Sequence, residues 1–235
     1  MSKALKKSTG RDVWAMLLDD TTIVKVTTAG TLTKGHLYCV LGRGTGSNLP
    51  QVGTGYCFFA VSALATVTDD EYIDLGDIYD KANLIGFARS KDITRTKNTV
   101  DMTVDGDLSD FGDQRVDPIV AISGNINGYK VNGLPASDPS RKIDAKFVKQ
   151  IVEANDGTVS TIDKNDDVSL IALIYIKSLR DNQLDVDIVP ANFTSNGDST
   201  DYGNATSKSV AFTGCASSEN GVLPCSITCT FPTTP

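Results

Sequence analysis

From Asp92 to Tyr129 the chain alternates short period-two apolar segments with stretches rich in Gly and Asp. Ile93, Val100, Met102 and Val104, then Ile119 and Ala121, supply the apolar positions, while Asp101, Thr103 and Asp105 take the opposite parity. That is the pattern of half-buried strands. Asp105-Gly106 ends the first run, and Gly124 and Gly128 punctuate the second, so chain reversal is expected at these glycines, where positive φ is tolerated.

The same reading extends along the chain. Thr21 to Val40 gives two β-branched runs around Ala29-Gly30, and Leu41 to Gly55 then carries five glycines and one proline before YCFFAVSALATV resumes apolar character. This predicts a long hairpin loop over 41–55, exposed, and mobile unless it meets a partner. TDDEYIDLGDIYDKANLIGFARS is ambiguous between a short helix and a loop. The clearest helix is expected over about 139–154: Asp138 caps it, Pro139 suits its first position and Asn155-Asp156-Gly157 ends it. Ile143, Phe147, Val148, Ile151 and Val152 form its apolar stripe, the face that a helix lays on a sheet.

The partner expected for that stripe is Val168 to Ile176, whose continuous apolar run suggests a strand covered on both faces, although periodicity alone does not separate it from a buried helix. LDVDIVPANFTS alternates until Pro190, which belongs at a strand end or an edge. After a polar loop come SVAFTG and a final hairpin, PCSITCTF. There is no internal repeat and no obvious linker, so residues 1–235 are read as one mainly β domain, with an N-terminal arm over 1–20 and a glycine-rich loop over 41–55.

Charge narrows the function. Lys and Arg number 22 against 29 Asp and Glu, a formal charge of −7, which argues against capture of DNA by phosphate neutralisation. The first residues are the exception, with Lys3, Lys6, Lys7 and Arg11 ahead of the first apolar run, either a solvated arm or one that docks on an acidic neighbour. The N-terminus lacks the apolar core of a secretion signal, and no run of 18 apolar residues occurs, so cytoplasmic synthesis without membrane insertion is expected.

Five cysteines, Cys39, Cys57, Cys215, Cys225 and Cys229, are expected to be reduced in the cytoplasm, while a particle released from its cell can oxidise well-placed pairs. Cys39 and Cys57 are placed to face each other across a hairpin. Cys225 and Cys229 share a strand face but lie about 13 Å apart if the strand is extended, beyond the ~7 Å that a disulfide spans.

Catalytic chemistry is missing. A Ser-His-Asp or Cys-His mechanism would need His36, the one histidine, yet no nucleophile elbow accompanies it. Neither Asp163 nor Asp101 starts an EF-hand, because Val168 stands where the first loop needs Gly and Gly112 where the second needs Glu. Asp105 to Asp113 is the best irregular calcium candidate, against a solvated turn. The glycine-rich loop has no Gly-Lys-Ser/Thr of a phosphate cradle, and Cys-x-x-x-Cys lacks two further ligands for zinc. No enzyme activity and no cofactor or metal are expected.

The order of parts resembles the major tail proteins, or tail tube proteins, of long-tailed bacteriophages. The likeness is carried by TRTKNTVDMTVDGDLSDFGD, AISGNINGY, DPSRKIDAKFVKQIVEAN, VSLIALIYI and LDVDIVPANFTSNGDSTDYGNATSKSVAFTG, roughly Asp92 to Gly214, about half of the chain. It implies a β-sandwich or half-barrel with one flanking helix that assembles as hexameric rings, the rings stacking into an acidic conduit through which genomic DNA leaves without specific binding. It also implies a virion location, partners at the tail tip and terminator, and a tube made of copies of the chain itself. On that reading the inter-ring contact falls on Gly42, Arg43, Gly44, Gly46, Asn48, Gly53 and Gly55, supplemented by Lys3, Lys6 and Lys7. The alternatives are another virion structural or decoration protein, and a β-sandwich carbohydrate-binding module.

Overall fold

The computed structural model describes residues 13–19, 25–77, 83–101, 114–131, 139–140, 143–144, 150–152, 159–161, 170–177, 183–214 and 221–230. Within them the chain is mainly β, with a large curled sheet of half-barrel form. The large sheet takes β1 (Val13–Asp19), β12 (Leu170–Lys177), β13 (Gln183–Ser199), β14 (Ser207–Gly214), β9 (Gln114–Tyr129) and β8 (Ala88–Asp101) in that order, and β15 (Cys225–Thr230) also pairs with β13. Every pairing in it is antiparallel.

The alternation foreseen along this sheet sorts its two faces. Ala15, Leu17, Ile122, Ile126, Val189, Ala191, Val210 and Phe212 point into the curl, where Ile85, Phe87 and Ile143 complete a dry cluster. The sheet curls far enough for its two ends to meet. Met16 bridges Leu84, the Ile85 amide donates to the Ala15 carbonyl at 2.9 Å, and Lys91 on β8 donates to the Trp14 carbonyl at 3.4 Å. A strand sequence with apolar residues at both parities, such as Trp14 to Leu18, is read best as one covered on both sides. Here it is: Met16 and Leu18 face away from the curl into a second cluster.

That second cluster is the seam with a smaller sheet, in the order β2 (Lys25–Val26), β7 (Glu71–Asp77), β4 (His36–Gly42), β5 (Cys57–Phe59). Leu37, Cys39, Cys57, Phe59, Ile73 and Leu75 meet Leu184, Val186 and Ile188 across it. On the far face of the small sheet Tyr38, Val40, Phe58 and Tyr72 pack with Leu32, Leu49 and Ala60. There β3 (Thr31–Leu32) pairs with β6 (Leu64–Ala65).

The structure corrects several sequence expectations. Val13–Asp19, assigned to the arm over 1–20, is a strand of the main sheet. Glu71–Asp77, ambiguous between helix and loop, is a strand that accommodates its run of apolar residues through two register shifts against β4. Of the helix over 139–154, Pro139, Ser140, Ile143 and Asp144 are helical, but β10 (Gln150–Val152) pairs with β11 (Val159–Thr161). Asn155-Asp156-Gly157 reads as a hairpin turn as well as a helix stop, and β-branched residues flank it on both sides. Ile143 docks in the curl among β1, β9, β13 and β14 residues.

Gly124 and Gly128 do not reverse the chain; both lie inside β9. A Cβ on Gly124 would stand 2.2 Å from the Asp92 carbonyl oxygen, and one on Gly128 would stand 1.3 Å from that of Phe87. They are there because backbone passes where a side chain would be. Ala121 is exposed, and Ile122 takes the inward place. Pro190 sits in mid-strand, not at an end: β15 stops opposite Ile188 and β14 begins opposite Ala191. At that junction one side of β13 asks for no ladder N–H, which is what proline cannot supply. PCSITCTF forms no hairpin, since β14 and β15 are successive partners of the same strand.

Candidate assembly surface

Loop 41–55 is held by its own side chains. The Arg43 guanidinium donates to the carbonyls of Leu49 (3.2 Å) and Val52 (2.9 Å), and Leu49 is buried in the outer cluster. Across the loop, the fully buried Asp70 accepts the amides of Gly44 (3.0 Å) and Val67 (2.9 Å). Burial opposes the Asp70 charge, but hydrogen bonds from Ser47, Val67 and Gly44, with the Arg43 charge nearby, outweigh it and hold the carboxyl below its ordinary range. At the base, Gly55 has φ +83° and a Cβ would meet the Gly221 carbonyl at 2.7 Å. The expectation of an exposed loop is therefore corrected: 41–55 is partly buried and covers Tyr38, Val40 and Phe58 through Leu49.

The structure places the suggested contact residues unevenly. Gly46, Asn48 and Gly53 lie at the surface, Gly42, Arg43 and Gly44 are half-buried and Gly55 is buried. Asn48 donates to the Ala65 carbonyl at 3.4 Å. Lys3, Lys6 and Lys7, and the calcium candidate Asp105 to Asp113, lie outside the described residues.

A second surface emerges from strand register. Outside the curl, β8, β9 and β14 present Asp92, Thr94 and Thr96, then Ser123, Asn125 and Asn127, then Ser207, Ser209 and Thr213. Asn125 donates to Asp92 at 3.2 Å and Ser209 to Asn127 at 2.7 Å, so the polar rows are tied laterally. At the end of these rows Tyr129, opposite Ser207, carries the Arg89 guanidinium 4.6 Å over its ring, whereas Lys91, Arg95 and Lys97 have the opposite parity. Beyond the β1 contact, β8 has no strand partner on its outer side among the described residues.

Ionic groups close the two ends of the curl. At one, buried Lys208 pairs with Asp144 of the helical segment and lies 3.6 Å from Asp198, while Asn196 donates to Asp144 at 2.8 Å. Lys130 holds Asp198 at 2.5 Å, and this bond, with the Lys208 charge, keeps the Asp198 carboxyl below its ordinary range against a burial penalty. At the other end Arg95 reaches Asp187 (2.5 Å) and Ser226 (2.9 Å), and Thr228 donates to Asp185 at 2.7 Å. Between them, burial lowers the Lys91 ammonium to about 7, with the Asp187 charge pulling it back up.

His36 Nδ1 meets the Asp74 carboxylate at 3.0 Å and its ring stacks on Tyr38; among the described residues no hydroxyl or thiol is hydrogen-bonded to its Nε2. Cys39 and Cys57 stand directly opposite on β4 and β5, both as free thiols. Cys225 joins them from β15, a neighbour that sequence spacing could not supply, because β15 reaches β5 only through the seam between the sheets. Among the described residues no group of three or more His, Cys, Asp or Glu side chains is arranged to hold a metal.

No protein-family model matches the chain, and no curated protein matches it. Among solved structures it is similar to a chain in the tail of an empty GTA particle, computed with helical refinement in C6 symmetry, at 15% identity and a TM-score of 0.36. The alignment covers 60% of this chain and 87% of that one, and at that score the functional reading rests on the geometry above.

Proposed function

We propose that the chain is a structural subunit of a phage tail tube, polymerising as stacked hexameric rings that form a conduit for genome DNA. The observation that supports this best is the polar face of β8, β9 and β14, which ends at the outer edge of a 14-residue strand. Among the described residues its rows of hydroxyls and amides have a cation only where Arg89 stacks on Tyr129. A long unpaired edge is an aggregation liability in a monomer, and head-to-tail pairing with the next copy removes it when the rotation closes. The face itself suits a channel wall. Hydroxyls, amides and Asp92 offer DNA phosphates no counter-charge, and the single Arg89 at the end of the rows neutralises too little for a passing duplex to adhere. Loop 41–55 and the basic residues Lys3, Lys6 and Lys7 are assigned to the contact between rings.

Negative-stain electron microscopy and light scattering of the untagged chain test this. Hollow rings or tubes are the expected result; a monomer of 25.0 kDa that stays monomeric at high concentration and with a preformed tail tip sinks it. Deleting 43–54 is a poor probe of the ring contact, since it removes Arg43 and buried Leu49. Substituting exposed positions that carry neither the positive φ of Gly46 nor the Asn48–Ala65 bond, Thr45→Asp with Thr54→Asp, keeps the cover in place and is expected to stop stacking while leaving single rings.

A further inference from the structure

We propose that Cys225 is a hydroperoxide-reactive thiol and that Cys57 resolves it, so that oxidation staples β15 of the large sheet to β5 of the small one. Two sulfurs of unequal access lie side by side. Cys57 is 4% exposed and sits inside the seam cluster, whereas Cys225 lies at the edge of that cluster and lines an open cavity of about 410 Å³ with Tyr56, Arg95, Ile188 and Pro224. The Leu223 amide donates to the Gly55 carbonyl at 2.8 Å, which fixes the lead-in to β15 against the lead-in to β5.

The two thiols pack in the same seam cluster, where β15 meets β5. The neighbouring Cys57 holds Cys225 below its ordinary range, although burial and the Asp187 charge oppose this. The neighbouring Cys225 and Cys39, with burial, push the Cys57 thiol well up. The thiolate therefore forms on the sulfur that faces the cavity, and the proton stays on the sulfur sealed behind it. Cys39 is fully buried, with no path for an oxidant.

The chemistry closes with a hydroperoxide as the only added reactant. The Cys225 thiolate attacks one peroxide oxygen; the S–O bond forms, the O–O bond breaks, and the departing hydroxide takes a solvent proton to leave as water. Cys225 has lost two electrons, which the peroxide has gained. The Cys57 sulfur then attacks the sulfenic sulfur, the S–S bond forms, the S–O bond breaks, and the Cys57 proton leaves with the hydroxyl as a second water.

The test uses the wild-type full-length chain, treated with hydrogen peroxide, alkylated and digested with trypsin and a glutamate-specific protease. Cleavage after Arg43 separates Cys39 from Cys57, and cleavage after Glu219 separates Cys215 from Cys225. Fragmentation distinguishes Cys225 from Cys229. The expected product is a Cys57–Cys225 link, two hydrogens lighter than its parts, with Cys39 alkylated. In the Cys57→Ser variant, the expected product is a sulfenic acid at Cys225 that a dimedone probe captures. A Cys39–Cys57 link, or Cys57 and Cys225 both alkylated after peroxide, overturns the proposal.

Discussion

Replacing Lys91 with methionine removes a cation that the fold holds under burial while keeping most of the stem that packs there. The drop from 10.5 to about 7 corresponds to about 5 kcal/mol of differential stability between the protonated and neutral forms. The unfolded chain binds this proton more tightly than the folded one. The penalty is therefore complete below pH 7, where both states carry the charge, and fades as pH rises toward 10.5, where both have lost it. Between pH 7.5 and 9.5 wild-type stability is expected to rise by about 2.5 kcal/mol from this group alone, at ~1.4 kcal/mol per pH unit. Groups common to both proteins cancel when the Lys91→Met variant is subtracted, including Arg95 and Asp187 beside the ammonium. Urea unfolding at pH 6.5, 7.5 and 9.5, followed by Trp14 fluorescence, gives the comparison. The variant is expected to be the more stable protein at pH 6.5, with the gap closing by about 2.5 kcal/mol over the upper interval. Parallel pH profiles for the two proteins would refute the reasoning.

Three further outcomes are expected. Gly128→Ala drives a methyl into the Phe87 carbonyl and costs at least about 3 kcal/mol; an unchanged calorimetric Tm would contradict this. Asp70→Asn leaves one of the Gly44 and Val67 amides without its charged acceptor, costing about 1–3 kcal/mol. Because the Asp70 carboxyl is held low when folded, this difference exists above about pH 4 and disappears as pH falls through the folded value. Exchange protection of the Gly44 and Val67 amides reports it. Lys208→Met leaves Asp144 without its cation and costs about 2–3 kcal/mol, less than a fully buried pair because Asp144 is a third exposed. Adding Asp144→Leu is expected to recover part of that loss in denaturant titrations.

Sequence pattern disclosed whatever depended on neighbours in the chain. The start of β4 at His36 after Gly35, the apolar run of β12 and the alternation of β13 before Pro190 all follow from local periodicity and turn chemistry. What stayed hidden depended on distant backbone. Gly124 and Gly128 look like turn residues until the carbonyls of Asp92 and Phe87 are seen to occupy their Cβ positions. Pro190 looks terminal until two successive partners divide β13 at that point. The glycines of 41–55 look loose because the residue that gathers them, Asp70, lies 26 positions beyond Gly44. Of the candidate surfaces, the loop was visible as composition, whereas the polar rows of β8, β9 and β14 required the register.

The pairing of β1 with β12 has a consequence in time. Val13 is matched to Ile176 and Asp19 to Leu170, so β1 waits for a strand of the large sheet that is synthesised much later. Until then Trp14, Met16 and Leu18 have neither their sheet neighbour nor the complete seam beneath them. Topologies dominated by such separations fold slowly and leave apolar strand exposed during synthesis. A nascent chain of this protein therefore keeps these apolar side chains exposed until β12 has been made, and the large sheet is not complete before then.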